Sequence, residues 1–205
     1  MKSCKRCGAC CKDGGPALHT QDLRLFNDVL QIENCITIRK SEPAFNPLPQ
    51  RVEPAQCELI KITGISNSWQ CCFFKEDQNQ CKIYNNRPVE CSLLKCWDTE
   101  ELTQVIFTDT LSRADIITDA SLLKMIQKHD VLCSYNKFSD LVKDENHLEL
   151  NKMLNLDMTI RQEAITKHTL SLSKELFCFG RPMFKSAAFY NVAIKQTSTG
   201  FEVIF

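Results

Sequence analysis

The chain has 205 residues, with Lys plus Arg and Asp plus Glu balanced at 25 each. That balance argues against a bulk electrostatic partner such as nucleic acid or an anionic membrane surface, and no run approaches the ~18 apolar residues of a membrane span. A hydrophobic share of 43% suits one domain, or one domain with a small appendage.

Taken in chain order, the sequence opens on MKSCKRCGACCKDGG, which has no apolar core of the kind an export signal needs. Thr20 is an expected N-cap for a helix carrying Leu23, Phe26 and Leu30 on one face. Residues 41–54 hold four of the seven prolines, Pro43, Pro47, Pro49 and Pro54, and read as an irregular surface connection. Residues 58–65 alternate Leu59 and Lys61 against Ile60 and Ile62, end in GISNS, and lead to residues 69–74 as a hairpin. Pro88 suits the first turn of a helix with Cys91, Leu94 and Trp97. Asp119 is expected to cap a helix with Leu122, Ile126, His129 and Cys133 on one stripe, after which the acidic run 140–149 reads as a solvated helix face. Asp157 is expected to begin a long helix carrying Ile160, Ala164, His168, Leu172 and Leu176, stopped by Gly180 and Pro182. Residues 189–196 and 201–205 alternate around TSTG as a terminal hairpin. The expected fold class is α+β and mostly helical. A small metal-stapled cysteine-cluster region with a short hairpin (1–98) precedes a helical half with a C-terminal β-hairpin (99–205), the two packed as one domain.

Thirteen cysteines set this chain apart. The count is odd, two pairs are vicinal (Cys10 with Cys11, Cys71 with Cys72), and no export signal is present. A cytoplasmic chain using thiolates as metal ligands is therefore the expectation, rather than a disulfide framework. Cys4-x2-Cys7-x2-Cys10 places three thiols within seven residues, with Gly8 letting the backbone fold back, and resembles the run that opens ferredoxin-type cluster motifs. Cys11 follows at once. Neighbouring side chains of an extended segment point to opposite sides, so Cys11 serves either a second centre or the surroundings of the first. The second block gives Cys71-x9-Cys81-x9-Cys91-x4-Cys96, and Cys91 and Cys96 face a common site only where a helix starts or frays between them. Both Zn²⁺ and an iron–sulfur cluster accept four thiolates. The triple in the first block and the lack of C-x2-C in the second favour iron–sulfur over paired zinc knuckles.

CKRCGACC, C-x-F-F and CKIYNNRPVEC together resemble the YkgJ-type cysteine-cluster proteins, the zinc- or iron-chelating CxxCxxCC family, over residues 4–97. The resemblance implies Cys4, Cys7, Cys10, Cys11, Cys71, Cys81 and Cys91 as metal ligands. It leaves Cys72 as a variable neighbour and Cys96 just beyond the motif as an eighth candidate. It also implies a lean toward [4Fe–4S], since the family includes a flagellin lysine methylase whose cysteine motif is associated with such a cluster. Arg87, within the shared motif, is expected to direct its guanidinium at a sulfur or a carbonyl beside the centre. Tyr84 and Ile83 are expected to cover it. Lys2, Lys5, Arg6, Lys12, Lys82 and Arg87 offset thiolate charge.

No nucleotide glycine loop, H-E-x-x-H or C-x3-C-x2-C is present, so a metal- or cluster-binding protein with an unidentified protein partner is favoured over an enzyme. An enzyme with this centre would be an iron–sulfur oxidoreductase or methyltransferase-like. His168 reads as a satisfied core or interface histidine, and Cys133 and Cys178 as small buried hydrophobes, with Cys35 and Cys57 open to the same reading. His19, His129 and His147 show no partner pattern.

Overall fold

The computed structural model describes residues 4, 6–65, 68–198 and 200–204. Lys2, Lys5, Ser66, Asn67, Thr199 and Phe205, which fall in segments discussed above, lie outside the described residues. The fold is α+β and mostly helical, with antiparallel hairpins that include one at the C-terminus.

The first half is built on short strand pairs. Strands β1 (Cys35–Ile38) and β4 (Leu59–Ile62) pair antiparallel, Cys35 opposite Ile62 and Ile38 opposite Leu59. Among the described residues, the expected hairpin from residues 58–65 to 69–74 is reduced to a bridge of Gly64 to Cys71, with an Ile65 N–H···O=C Gln70 bond of 2.9 Å and a Cys72 N–H···O=C Thr63 bond of 3.1 Å. The main partner of β4 is β1, because Leu59, Ile60 and Ile62 are buried and need a covered strand rather than a free edge. Residues 41–54 are not irregular. Strands β2 (Pro43–Asn46) and β3 (Arg51–Pro54) form a hairpin. Pro43 and Pro54 sit opposite each other at its open end, where a missing N–H interrupts little of the ladder. Gln50 takes a positive φ of 51° in the turn and Asn46 accepts from the Leu48 N–H. The hairpin leaves Phe45 and Val52 exposed.

The expected helix after Thr20 is a 3-10 helix, Thr20–Asn27. Its cap is His19, whose backbone N–H is accepted by Asp22 at 3.0 Å, and it buries Leu25 and then Leu30 while Leu23 stays 41% exposed. Two further strands, β5 (Phe74–Lys75) and β6 (Gln80–Cys81), make a tight hairpin with Phe74 opposite Cys81.

Two helices of the second half matter most. The cap at Asp119 is as expected: its carboxylate accepts from the N–H groups of Ser121 and Leu122 and opens the helix Ala120–Leu132. The long helix begins ten residues earlier than Asp157, at His147, because Asn146 accepts from the Glu149 N–H; it ends at His168. Thr169 closes it in the left-handed region, and Ser171 caps a separate helix, Leu172–Phe179. The stripe from Ile160 to Leu176 therefore belongs to two helices, and Leu172 points outward at 79% exposure.

Asp157 lies inside the long helix and is fully buried. Its Oδ1 accepts from His129 Nε2 at 2.6 Å and Arg161 Nε at 2.8 Å, and its Oδ2 accepts from the Met183 N–H at 2.9 Å. Arg161 spends its other donors on Glu175 and on the carbonyls of Phe179, Gly180 and Arg181. One apolar cluster, from Leu18 through Ile60, Phe74 and Leu154 to Val203, runs through both halves. The terminal hairpin, Ala193–Thr197 with Gly200–Ile204, joins it, hydrogen-bonded to the long helix through the Asn151 and Asn155 side chains.

Candidate metal centre

All thirteen cysteines are free thiols, and they divide by exposure. Cys4, Cys7, Cys10 and Cys96 are exposed, Cys11, Cys72, Cys81 and Cys91 are half-buried, and Cys71 is buried. The first block turns through Gly8, at φ 77°, into a single helical turn, Ala9–Lys12. Cys10 and Cys11 consequently sit about 100° apart on a helix rather than on opposite sides of an extended strand. The cysteines of the second block stand in separate places. Cys71 bridges Gly64, Cys81 closes the β5–β6 hairpin, and Cys91 rides a short helix, Val89–Leu93. That helix stops before Cys96 and Trp97, so Cys91 and Cys96 are not on one helical face.

Protein contacts bring the blocks together. The Cys71 N–H donates to the Cys11 carbonyl at 2.8 Å, and Asn79 Nδ2 donates to the Arg6 carbonyl at 2.8 Å. Lys12 pairs with Glu76 at 2.9 Å, and the Arg6 guanidinium lies 4.4 Å from the Tyr84 ring centroid. Phe74 fills the space over Gly8: a Cβ there would come within 2.3 Å of the Phe74 ring. Gly8→Ala would meet both that ring and the cost of the left-handed backbone. It is expected to weaken docking of the first block by about 1–3 kcal/mol, seen as faster alkylation of Cys10 and Cys11 with unchanged far-ultraviolet ellipticity.

Five thiols from the two blocks share one electrostatic environment. Cys10 and Cys11 are hydrogen-bonded, which lowers Cys10 to about 6 and pushes Cys11 up; the Cys10, Cys71 and Cys81 sulfurs add to the rise at Cys11. A hydrogen bond with Cys72 raises Cys71, together with burial and the Cys72 and Cys10 charges. Burial pushes up Cys81 and Cys91, and each is raised further by Cys71 and Cys10. Sulfurs that raise one another in this way are a set that a cation would relieve. Thiols are the donors that a thiophilic metal or cluster takes, although among the described residues no three of these sulfurs lie within 4.8 Å of one another.

Arg87 lowers Cys81 through its charge, while its guanidinium stacks 3.9 Å from the Tyr84 ring centroid and its buried Nε has no hydrogen-bond partner among the described residues. Tyr84 thus carries two guanidinium groups, and Ile83 packs on the main core.

Cys133 and Cys178 are buried, as expected of small hydrophobes, and Cys35 joins them while Cys57 is half-buried. Among the described residues, the set of three ligand atoms within 4.8 Å of one another lies far along the chain, at His129, Cys133 and Asp157. Those donors are already used. Asp157 is saturated by His129, Arg161 and Met183, and His129 Nδ1 faces Arg39 Nη1 at 3.2 Å. An arginine only donates, so Nδ1 accepts and Nε2 carries the proton to Asp157. Two guanidinium groups beside the set make it a buried polar network rather than a cation site.

Sequence reasoning missed the groups packed behind Cys91. His19 and Asp22 are buried, at 3% and 1% exposure, and Glu90 and Lys61 lie with them. The available signal was His19-x-x-Asp22, a capping spacing inside an apolar run. His168 is satisfied only at Nδ1, by Asp119 at 2.9 Å, while its buried Nε2 has no hydrogen-bond partner among the described residues.

The family described as CxxCxxCC, putative zinc- or iron-chelating domain, matches residues 3–133, more than half the chain and well past the motifs themselves. Neither the curated proteins nor the solved structures provide a match. No helix among the described residues is long and apolar enough to cross a membrane.

Proposed function

We propose, for a chain that belongs to the CxxCxxCC zinc- or iron-chelating family, that it holds an iron–sulfur cluster of the [4Fe–4S] type and serves as a redox or metal-handling protein. The four thiolates that such a cluster takes are drawn from Cys4, Cys7, Cys10 and Cys11 in the first block and Cys71, Cys81, Cys91 and Cys96 in the second, eight candidates that suffice for two four-thiolate sites. The observation that carries this reading is the docking of the two cysteine blocks on each other, the Cys71 N–H donating to the Cys11 carbonyl at 2.8 Å and Asn79 Nδ2 to the Arg6 carbonyl at 2.8 Å. Such a cluster, when bound, supplies reversible one-electron transfer. Around it, Arg87 places positive charge near Cys81, and Tyr84 and Ile83 limit water on that side. The exposed Cys4 and Cys7 give the first block freedom to close onto the second.

Iron is favoured over zinc by the C-x2-C-x2-C triple and by the absence of a C-x2-C knuckle in the second block. Anaerobically purified protein is expected to be brown, to bleach with dithionite and to carry iron with matching acid-labile sulfide. Colourless protein with stoichiometric zinc would replace this reading with a structural zinc site.

A further inference from the structure

The helix that carries Cys91, Val89–Leu93, has five residues and no side-chain cap of its own at Pro88. A helix this short has no stability in isolation, so outside contacts fix its place. Two of them come from the segment that follows the first cysteine block. Asp22 Oδ1 accepts from the Val89 N–H at 3.0 Å, while its Oδ2 accepts from the His19 N–H at 3.0 Å. Glu90 Oε2 accepts from the Ala17 N–H at 2.8 Å, and His19 Nε2 lies 3.5 Å from Glu90 Oε1. His19 is itself fixed, its Nδ1 donating to the Thr108 carbonyl at 2.8 Å. Ala17 bridges Lys61, the Leu18 N–H donates to Ile60, and the Leu111 N–H donates to Leu18, so the segment is anchored on β4 and on the start of the helical half.

Burying Asp22 at 1% exposure carries a desolvation cost that its two backbone N–H bonds offset. The His19 bond caps the Thr20–Asn27 helix, and the Val89 bond reaches across 67 residues to hold the start of the helix that carries Cys91.

We infer that Asp22 and Glu90 are positioning residues for the metal centre, holding Cys91 ready before any ion arrives. This inference rests on the proposed ligand role of Cys91. The exposed first block is then the part that moves on binding, and the second block is the part that waits. Groups that orient a ligand typically contribute 10–100-fold to metal affinity.

The test is a zinc competition titration of reduced, metal-free full-length protein against a chromophoric chelator, with alkylation of Cys91 followed by mass spectrometry. Asp22→Ala and Glu90→Ala are each expected to weaken zinc binding by about 10–100-fold and to speed alkylation of Cys91. Glu90→Gln keeps an acceptor for the Ala17 N–H and is expected to retain near wild-type affinity. Asp119→Ala removes a helix cap away from the centre and serves as the stability control: it is expected to lower the Tm and leave the affinity unchanged. Unchanged affinity in both alanine variants, with Cys91→Ser weakened, would overturn the positioning role alone. Affinity unchanged in Cys91→Ser would remove the ligand reading on which it rests. An affinity loss in Asp119→Ala as large as in Asp22→Ala would assign the effect to stability and also overturn the inference.

Discussion

Asp157→Ala is expected to lower the stability of the protein by about 3–5 kcal/mol, with a large fall in the denaturant midpoint. The replacement strands Arg161, whose side chain is 1% exposed, and takes the acceptor from His129 and from the Met183 N–H. Arg161 keeps Glu175 and three carbonyl acceptors, so the loss is that of one partner from a dense network rather than of the whole. Replacing Asp157 and Arg161 together, by Leu and Met, is expected to cost less than the sum of the single changes, since each single change strands the other member of the pair, and the double change adds only the loss of the Arg161 partner of Glu175. Additive losses in a double-mutant cycle would contradict this account.

The same network fixes the acid limb of the stability curve. Burial alone pushes the Asp157 carboxyl up, but the His129 hydrogen bond and the Arg161 guanidinium outweigh it and hold the group well below the usual carboxylate range. A carboxyl depressed in the folded state contributes stability that is fully present above its unfolded value, about 3.9, and is lost as the pH falls further toward the folded value. Wild-type protein is therefore expected to lose stability below about pH 4, and Asp157→Asn to show a flatter acid limb. An identical acid limb in the two proteins would show that other carboxyls set it.

The sequence held the outline of this molecule unevenly. Where a local signal had a local consequence, it was legible: the Asp119 cap, the terminal hairpin, the burial of Cys133 and Cys178, and the closely spaced first block. Reading failed where distant segments decide. Four prolines between residues 43 and 54 indicate a loop, yet two of them terminate strand pairing at a hairpin's open end. The stripe from Ile160 to Leu176 has helical spacing throughout, and only the left-handed Thr169 and the Ser171 cap divide it. Asp157 looked like a helix start because aspartate favours N-caps. Its role depends on His129, which precedes it by 28 residues, and on Met183, 26 residues further on. At the centre the cysteines announced themselves. Glu90 lies inside CKIYNNRPVEC and Asp22 in the His19-x-x-Asp22 spacing, yet their roles were not legible there, since their partners include backbone N–H groups elsewhere in the chain.

Chelation of the ion, or Cys7→Ser, is expected to release the first block while the helical half keeps its ellipticity. Closing a loop from residue 11 to residue 71 costs about 3–4 kcal/mol in chain entropy; the buried pairing of residues 16–18 with 60–62 already meets most of it, while the contacts of the first block itself are mostly superficial. The Lys12–Glu76 pair is solvent-exposed on both sides and contributes little. What remains is the Cys71 to Cys11 backbone bond, the Asn79 contact and the packing of Gly8 on Phe74. Under the proposed ligand set, metal–thiolate bonding adds the strongest link across the gap, and an ion held at a thousand times its Kd would add about 4 kcal/mol to the folded state. Hydrogen exchange is expected to show residues 6–15 losing protection in the metal-free protein, with residues 120–168 unchanged. Residues 71–81 are expected to lose less than the first block, because Phe73 and Phe74 stay anchored in the core. A metal-free protein with the same melting curve and the same protection at residues 6–15 would mean that protein contacts alone join the blocks, and the ion would then have no part in holding the fold.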